Sequence, residues 1–132
     1  MASRHGLAGF VCGNTSTTRA DLKTGNDTVS KIGPGGLSGP PIRQKALQLC
    51  RRMNELKSDD QQIIACGGIT SGAEAFEFIT SGASAFEIYT GLVYHGPFLP
   101  FTICRELGAI LDQQGLNLSE AVGSGAKHRV VV

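Results

Sequence analysis

No apolar run in this 132-residue chain approaches the ~20 residues that a membrane-spanning helix needs. Charge of either sign is not in surplus: 12 Lys and Arg stand against 11 Asp and Glu, a formal net charge of +1, with acids and bases mixed along the chain. That balance argues against a nucleic-acid surface or a basic membrane patch. Paired cysteines are lacking as well. Cys12, Cys50, Cys66 and Cys104 stand far apart, without the spacing of a zinc site or a redox motif, and read as buried free thiols of a reducing compartment. Proline is scarce beside glycine, five against 18, which suits tight turns between periodic segments better than disorder. An apolar share of 41% at this length fits one modest domain.

What is present is organised around residues 61–97. Two apolar runs, residues 63–66 and 85–89, read as buried strands, each followed by a Gly-containing turn and a helix start. After the first, Ser71 and Glu74 have capping-box spacing, and Ala73, Phe76 and Ile79 recur at helical intervals. Gly82 can end that helix in a left-handed conformation. Gly67 and Gly68 lack a Cβ, so their main chain can approach a ligand closely, and Thr90 and Gly91 offer the same opening after the second strand. The N–H groups of a helix start point at whatever binds above the strand ends. Two such N-termini facing one point predict a phosphate cradle, of the kind formed by the loops after strands seven and eight of a (β/α)8 barrel.

Residues 7–12 read as another buried strand, a better account of the N-terminal stretch than the loosely presequence-like balance of residues 1–19. This strand leads into Gly13, Asn14 and Thr15, polar groups at the carboxyl end of a sheet, where α/β proteins bind ligands. A hydroxyl-rich turn with no ligand is the alternative. Residues 19–39 lack periodicity and read as a long functional loop ending in Gly35-Gly36-Leu37-Ser38-Gly39. Pro40 and Pro41 then open a helix with an apolar stripe of Ile42, Ala46, Leu49, Met53 and Leu56, leaving Arg43 on a solvated face. Pro97 suits the first turn of a further helix with the stripe Ile103, Leu107, Ile110 and Leu111, and His95 reads as a polar residue at a helix start. A short helix at 119–122 and a polar tail over 123–129 follow.

Four motifs, in order, carry a family resemblance: Asn14-Thr15, the Gly35 to Gly39 run, Cys66-Gly67-Gly68-Ile69, and Tyr89-Thr90-Gly91-Leu92-Val93-Tyr94-His95-Gly96-Pro97. Together they resemble the C-terminal part of dihydroorotate dehydrogenase, and the Tyr-Thr pair with the later Gly-Pro resembles its membrane-associated, quinone-linked class 2. Glu120-Ala121-Val122-Gly123 followed by His128-Arg129 is similar too. The resemblance covers nearly the whole chain from Leu7 onward. It implies an α/β fold made of the C-terminal three βα units of a (β/α)8 TIM barrel, truncated at the N-terminus. It implies FMN as cofactor and oxidation of dihydroorotate to orotate in pyrimidine biosynthesis. The substrate loses a proton from C5 and a hydride from C6 to the flavin, which a quinone reoxidises. By position, Asn14 and Thr15 would hydrogen-bond the pyrimidine. Gly13, where the family often has a hydroxyl side chain, would lie beside the flavin, and Gly39 would line its site. Gly68, Tyr89 and Thr90 would hold the FMN phosphate.

The same resemblance places the general base, the flavin-contacting lysines and the membrane-binding helices in an N-terminal part that this chain does not include. Ser16 and Ser38 have no neighbour suited to activate them as stand-ins. Quinone access and membrane association would come through that part, at the mitochondrial inner membrane in a eukaryote or the cytoplasmic membrane in a bacterium. No nucleic-acid partner is implied. Three parallel strands alone would leave two open edges and a sheet face turned to water. With Phe10, Ile64, Phe86 and Ile88 uncovered, the cost is several kcal/mol at roughly 25 cal/mol per Å2. The isolated chain is therefore expected to be marginal, oligomeric or aggregation-prone, to bind FMN weakly if at all, and to be inactive alone. Two other readings remain: a non-redox phosphate-binding barrel enzyme, which has no need of Asn14-Thr15 or the Gly36 to Gly39 motif, and a catalytically silent fragment serving as an assembly module.

Overall fold

A computed structural model describes residues 5–20 and 22–127. Strands β1 (Gly9–Cys12), β2 (Gln62–Cys66) and β3 (Ala85–Glu87) form one parallel sheet in the order β1-β2-β3. In register, Val11 lies beside Ile64 and Ile64 beside Ala85; Cys12, Ala65 and Phe86 make the next row, and Cys66 pairs with Glu87. β3 stops short of the predicted 85–89 run because Tyr89, at φ −134° and ψ −67°, has left the extended conformation that a ladder requires.

Side chains alternate across a strand, so the register sorts the sheet into two faces. Phe10, Cys12, Ile63, Ala65, Phe86 and Ile88 pack into the core with the helices. Val11, Ile64, Cys66, Ala85 and Glu87 occupy the other face, where Val11, Ala85 and Glu87 are exposed. This corrects the expectation that Phe10, Phe86 and Ile88 would be turned to water. Of those four residues only Ile64 lies on the open face, among small or polar neighbours, so leaving that face uncovered costs less than predicted.

The core is built by α2 (Arg43–Leu56), α3 (Gly72–Thr80) and α5 (Leu99–Gln114), around Ile63, Phe78, Ile79, Ile103 and Cys50, all essentially inaccessible. Each large side chain among them contributes roughly 1.5–3 kcal/mol by burial. Pro40 and Pro41 sit in a 3-10 turn (Pro40–Ile42) that leads into α2. The buried stripe of α2 is rotated from the predicted one: Ala46, Leu47 and Cys50 are buried, while Leu49 and Leu56 are exposed. Likewise α3 buries Ala75, Phe78 and Ile79 and exposes Ala73. Its C-terminus closes as predicted through Gly82 N–H to Ile79 O at 2.9 Å and Ala83 N–H to Phe78 O at 3.0 Å. In α5 the first-turn proline is Pro100, with Pro97 in the preceding turn, and the buried stripe is Leu99, Ile103 and Leu107.

Four short helices complete the described part of the chain. Helix α1 (Asn26–Ile32) forms inside the segment that lacked periodicity. It buries no residue, so it imposes no apolar pattern, and Asp27 in its first turn and Lys31 in its last suit the helix dipole. Helix α4 (Thr90–His95) ends at His95, which is therefore in a last turn rather than at a helix start. Asn117 and Glu120 form a reciprocal capping box on α6 (Leu118–Ala121), with bonds of 2.9 and 3.0 Å, and α7 (Ser124–Lys127) replaces part of the predicted polar tail. His128 and Arg129, two residues of the resemblance, lie outside the described residues. No helix among the described residues is long and apolar enough to cross a membrane.

Candidate functional site

At the carboxyl ends of the strands, four segments meet around a cleft of about 310 Å3. The turn after β1 supplies Gly13, Asn14 and Thr15; the turn after β2, Cys66 to Ile69; the end of β3 and start of α4, Glu87 to Gly91; and the long loop, Ser38 and Gly39. All the residues singled out from the sequence, Gly13, Asn14, Thr15, Gly39, Gly68, Tyr89 and Thr90, line this one cleft. The sequence reading missed Val11, Ile42, Cys66, Glu87 and Ile88 as lining groups, and it placed Ser38 in the Gly35 to Gly39 run and weighed it as a base without giving it a binding role. Two-residue alternation is the signal that could have found Val11, Cys66 and Glu87, because it sets them on the same face as Ile64 and Ala85.

Main-chain contacts fix the walls. Asn14 Oδ1 accepts the Thr15 N–H at 2.8 Å, and Ser16 and Leu37 exchange two bonds of 2.9 and 2.7 Å, which fold the long loop over the turn after β1. A side chain at Gly36 would collide with Thr15, so the two segments close only with glycine there. Across the cleft, Thr90 Oγ1 donates to Ser38 Oγ at 2.8 Å and joins the start of α4 to the same loop. Gly68, at φ 73°, packs against Arg43 and the Gly39 carbonyl, and a Cβ at this position would stand 2.8 Å from each. That Cβ would point at Arg43 and the Gly39 carbonyl, so glycine at this position serves the packing of the turn.

Only one of the two predicted helix N-termini is open. The first N–H groups of α3 are taken inside the protein: Gly72 N–H by Glu106 Oε2 at 2.7 Å and Glu74 N–H by Ser71 Oγ at 3.3 Å. The Glu74 carboxylate bonds Thr70 N–H at 2.7 Å and Thr70 Oγ1 at 2.9 Å, one residue before the Ser71 of the expected capping box. In α4 the first helical bond runs from Val93 N–H to Tyr89 O at 3.2 Å, so Thr90, Gly91 and Leu92 have no acceptor within the helix for their N–H groups. The turn after β2 and the start of α4 thus face one cleft, while at the start of α3 the Glu74 and Glu106 carboxylates and the Ser71 hydroxyl occupy the N–H groups of Thr70, Gly72 and Glu74.

Among the described residues lining the cleft there is no Lys, Arg or His. An anion there would depend on main-chain N–H groups and on the hydroxyls of Thr15, Ser38 and Thr90. The Glu87 carboxylate lies at its edge, beside Cys66, whose thiol pKa is raised by burial first and by Glu87 second. Such a thiol stays protonated near neutrality and is a poor nucleophile. The long loop also borders a wider groove of about 890 Å3 that shares Ile42 and runs past Arg19, Lys45 and Tyr94.

Comparison with known proteins bears on the same residues. The family model described as dihydroorotate dehydrogenase matches residues 1–111. The chain is 40% identical over 127 residues to the dihydroorotate dehydrogenase (quinone) of Rhodococcus opacus, covering 96% of this chain and 36% of that protein. To the protein of the same name in Mycolicibacterium vanbaalenii it is 43% identical over 128 residues, again 96% of this chain and 36% of the relative. The crystal structure of DHODH in complex with ferulenol from Eimeria tenella superposes with a TM-score of 0.85 at 36% identity, over 97% of this chain and 33% of that one. The chain therefore spans about a third of the length of these relatives, and its parallel three-stranded sheet corresponds to three βα units of their (β/α)8 barrel. Sequence, fold and the converging loops agree: this chain belongs to the dihydroorotate dehydrogenase family.

Proposed function

We propose that this chain supplies the FMN-phosphate grip and one edge of the substrate site of a quinone-linked dihydroorotate dehydrogenase, an enzyme that oxidises dihydroorotate to orotate in de novo pyrimidine biosynthesis. The observation that carries the reading is the meeting of Gly13, Asn14, Thr15, Gly39, Gly68, Tyr89 and Thr90 around one cleft. A phosphate monoester suits that donor set, in which main-chain N–H groups at the start of α4 and after β2 lie near the Thr90 and Ser38 hydroxyls. The main chain of Gly39 and Gly68 forms the wall on that side. Gly13 would let the flavin approach the end of β1. Asn14 Oδ1 is engaged by the Thr15 N–H, which leaves the amide NH2 of Asn14 and the Thr15 hydroxyl to hydrogen-bond a pyrimidine carbonyl. FMN, when bound, supplies the hydride acceptor; the residues of this chain bind and orient.

No group in the cleft is assigned as general base: the Cys66 thiol is held protonated, the Ser38 hydroxyl has the Thr90 hydroxyl as its partner, Ser16 does not line the cleft, and the Glu87 carboxylate stands exposed at its edge. Proton abstraction, quinone access and membrane association are assigned to the two thirds of the relatives' length that this chain does not span. On that reading the compartment is a mitochondrial inner membrane in a eukaryote or the cytoplasmic membrane in a bacterium.

The test titrates the chain with FMN and with inorganic phosphate. It then assays dihydroorotate-dependent quinone reduction after mixing the chain with the complementary N-terminal part of a quinone-linked relative. FMN binding weakened about tenfold by Thr90→Val, with Asn14→Ala lowering turnover while flavin stays bound, is the expected result. Phosphate binding without flavin binding would favour the non-redox barrel enzyme. Absence of both, and of recovered turnover, would favour a silent assembly module.

A further inference from the structure

The 67–70 turn that borders the cleft is held from behind by a residue that does not line it. Arg43, the first residue of α2, places Nη1 at 3.4 Å from Glu74 Oε1 and 3.3 Å from Glu77 Oε2. Its side chain is 28% exposed and that of Glu74 20%, so this pair is shielded from water, whereas Glu77 is half exposed. The second oxygen of Glu74 accepts both the N–H and the hydroxyl of Thr70. At the other end of the turn, the main chain of Gly68 rests on the base of the same arginine: a Cβ on Gly68 would lie 2.8 Å from Arg43 Cβ and 3.2 Å from Arg43 Cα. One residue therefore contacts the turn directly at Gly68 and, through Glu74, at Thr70.

We propose that Arg43 is a positioning residue, which fixes the height of the 67–70 turn against the cleft and so sets its grip on an anionic ligand without touching that ligand. A single guanidinium nitrogen, Nη1, meets both carboxylates, so the positive charge at that point carries the contact and a lysine ammonium can replace it only in part, lacking the length and the rigid plane of arginine. With its charge satisfied by Glu74 and Glu77, Arg43 leaves the recognition of the anion to main-chain N–H groups. The functional part of this inference rests on the reading that the cleft takes FMN; the mechanical part does not.

The experiment measures amide hydrogen exchange by NMR on the full chain. Arg43→Met should lower protection of the Thr70 amide about fivefold while the Ile63 and Ala65 amides of β2 keep theirs, and Arg43→Lys should recover part of the loss. Glu74→Gln, close in shape but unable to form the ion pair, should lower Thr70 protection in the same local way. In an FMN titration followed by flavin fluorescence, Arg43→Met should raise Kd about fivefold. Unchanged Thr70 protection in both Arg43→Met and Glu74→Gln overturns the proposal. So does an equal fall at Thr70 and in β2, which would make Arg43 an ordinary stabilising contact. Equal FMN affinity in wild type and Arg43→Met, despite a loosened turn, also overturns it. If the wild type takes up no FMN while the Thr70 effect stands, the cofactor reading fails and the bracing role of Arg43 survives.

Discussion

Replacing Gly68 with alanine separates two accounts of why glycine occupies the turn after β2. At φ 73° an L-residue incurs about 1–2 kcal/mol of backbone strain, partly offset by the ~0.4–1 kcal/mol gained from a stiffer unfolded chain. The added Cβ would also meet Arg43 Cβ and the Gly39 carbonyl at 2.8 Å, both backbone or next to it. Relieving that overlap costs about 1–3 kcal/mol. The net expectation is a loss of roughly 3 kcal/mol, a large share of the 5–15 kcal/mol typical of a domain. Gly96 is the control without the overlap: at φ 79° and ψ −180° it has no atom within 4 Å of the point where a Cβ would stand, so Gly96→Ala should show backbone strain alone, about 1–2 kcal/mol net. Urea unfolding of the two variants, followed by circular dichroism, reads the difference directly. If Gly68→Ala proves as mild as Gly96→Ala yet abolishes FMN binding, its Cβ enters the cleft instead of meeting Arg43, and the reasoning is refuted.

Two further outcomes follow from a half-buried carboxylate and a buried thiol. Glu106→Ala removes the acceptor for Gly72 N–H at the start of α3, and should cost about 2 kcal/mol in a denaturant melt; Glu106→Gln keeps an acceptor oxygen and should cost less than half of that, so equal stabilities across the three proteins would refute the cap. Burial pushes the Cys50 thiol up from 9.0 to about 11, with nearby Cys12 adding to the shift. Because the folded-state value is the higher one, its stabilising contribution is complete below pH 9.0 and is lost as pH rises to about 11, by roughly 2–3 kcal/mol in all. Urea midpoints measured across that range should fall less steeply in Cys50→Ala, and parallel curves would show that the thiol does not titrate there.

Much of the site was legible because its signals are local. Apolar runs bounded by glycines located β2 and β3, Ser71 marked the start of α3, and the motifs around Asn14, Gly39, Gly68 and Thr90 could be read residue by residue. Other features carried no local signal. Helix α1 buries nothing and so leaves no apolar period, and the pattern of α2 was compatible with two neighbouring stripes until β2 and α3 selected Leu47 and Cys50 over Leu49 and Leu56.

The sequence by itself determined the family, the order of strands and turns, and which residues stand at the strand ends, since these depend on side-chain periods of two or 3.6 and on turn chemistry within a few positions. The tertiary structure alone decided which sheet face the helices cover, that Glu106 seals the start of α3 from 34 residues away, and that Arg43 reaches Glu74 behind the cleft. Periodicity shows that a strand has two faces and a helix start has free N–H groups. Which face is covered and which N–H groups find an acceptor is settled only when distant segments pack together.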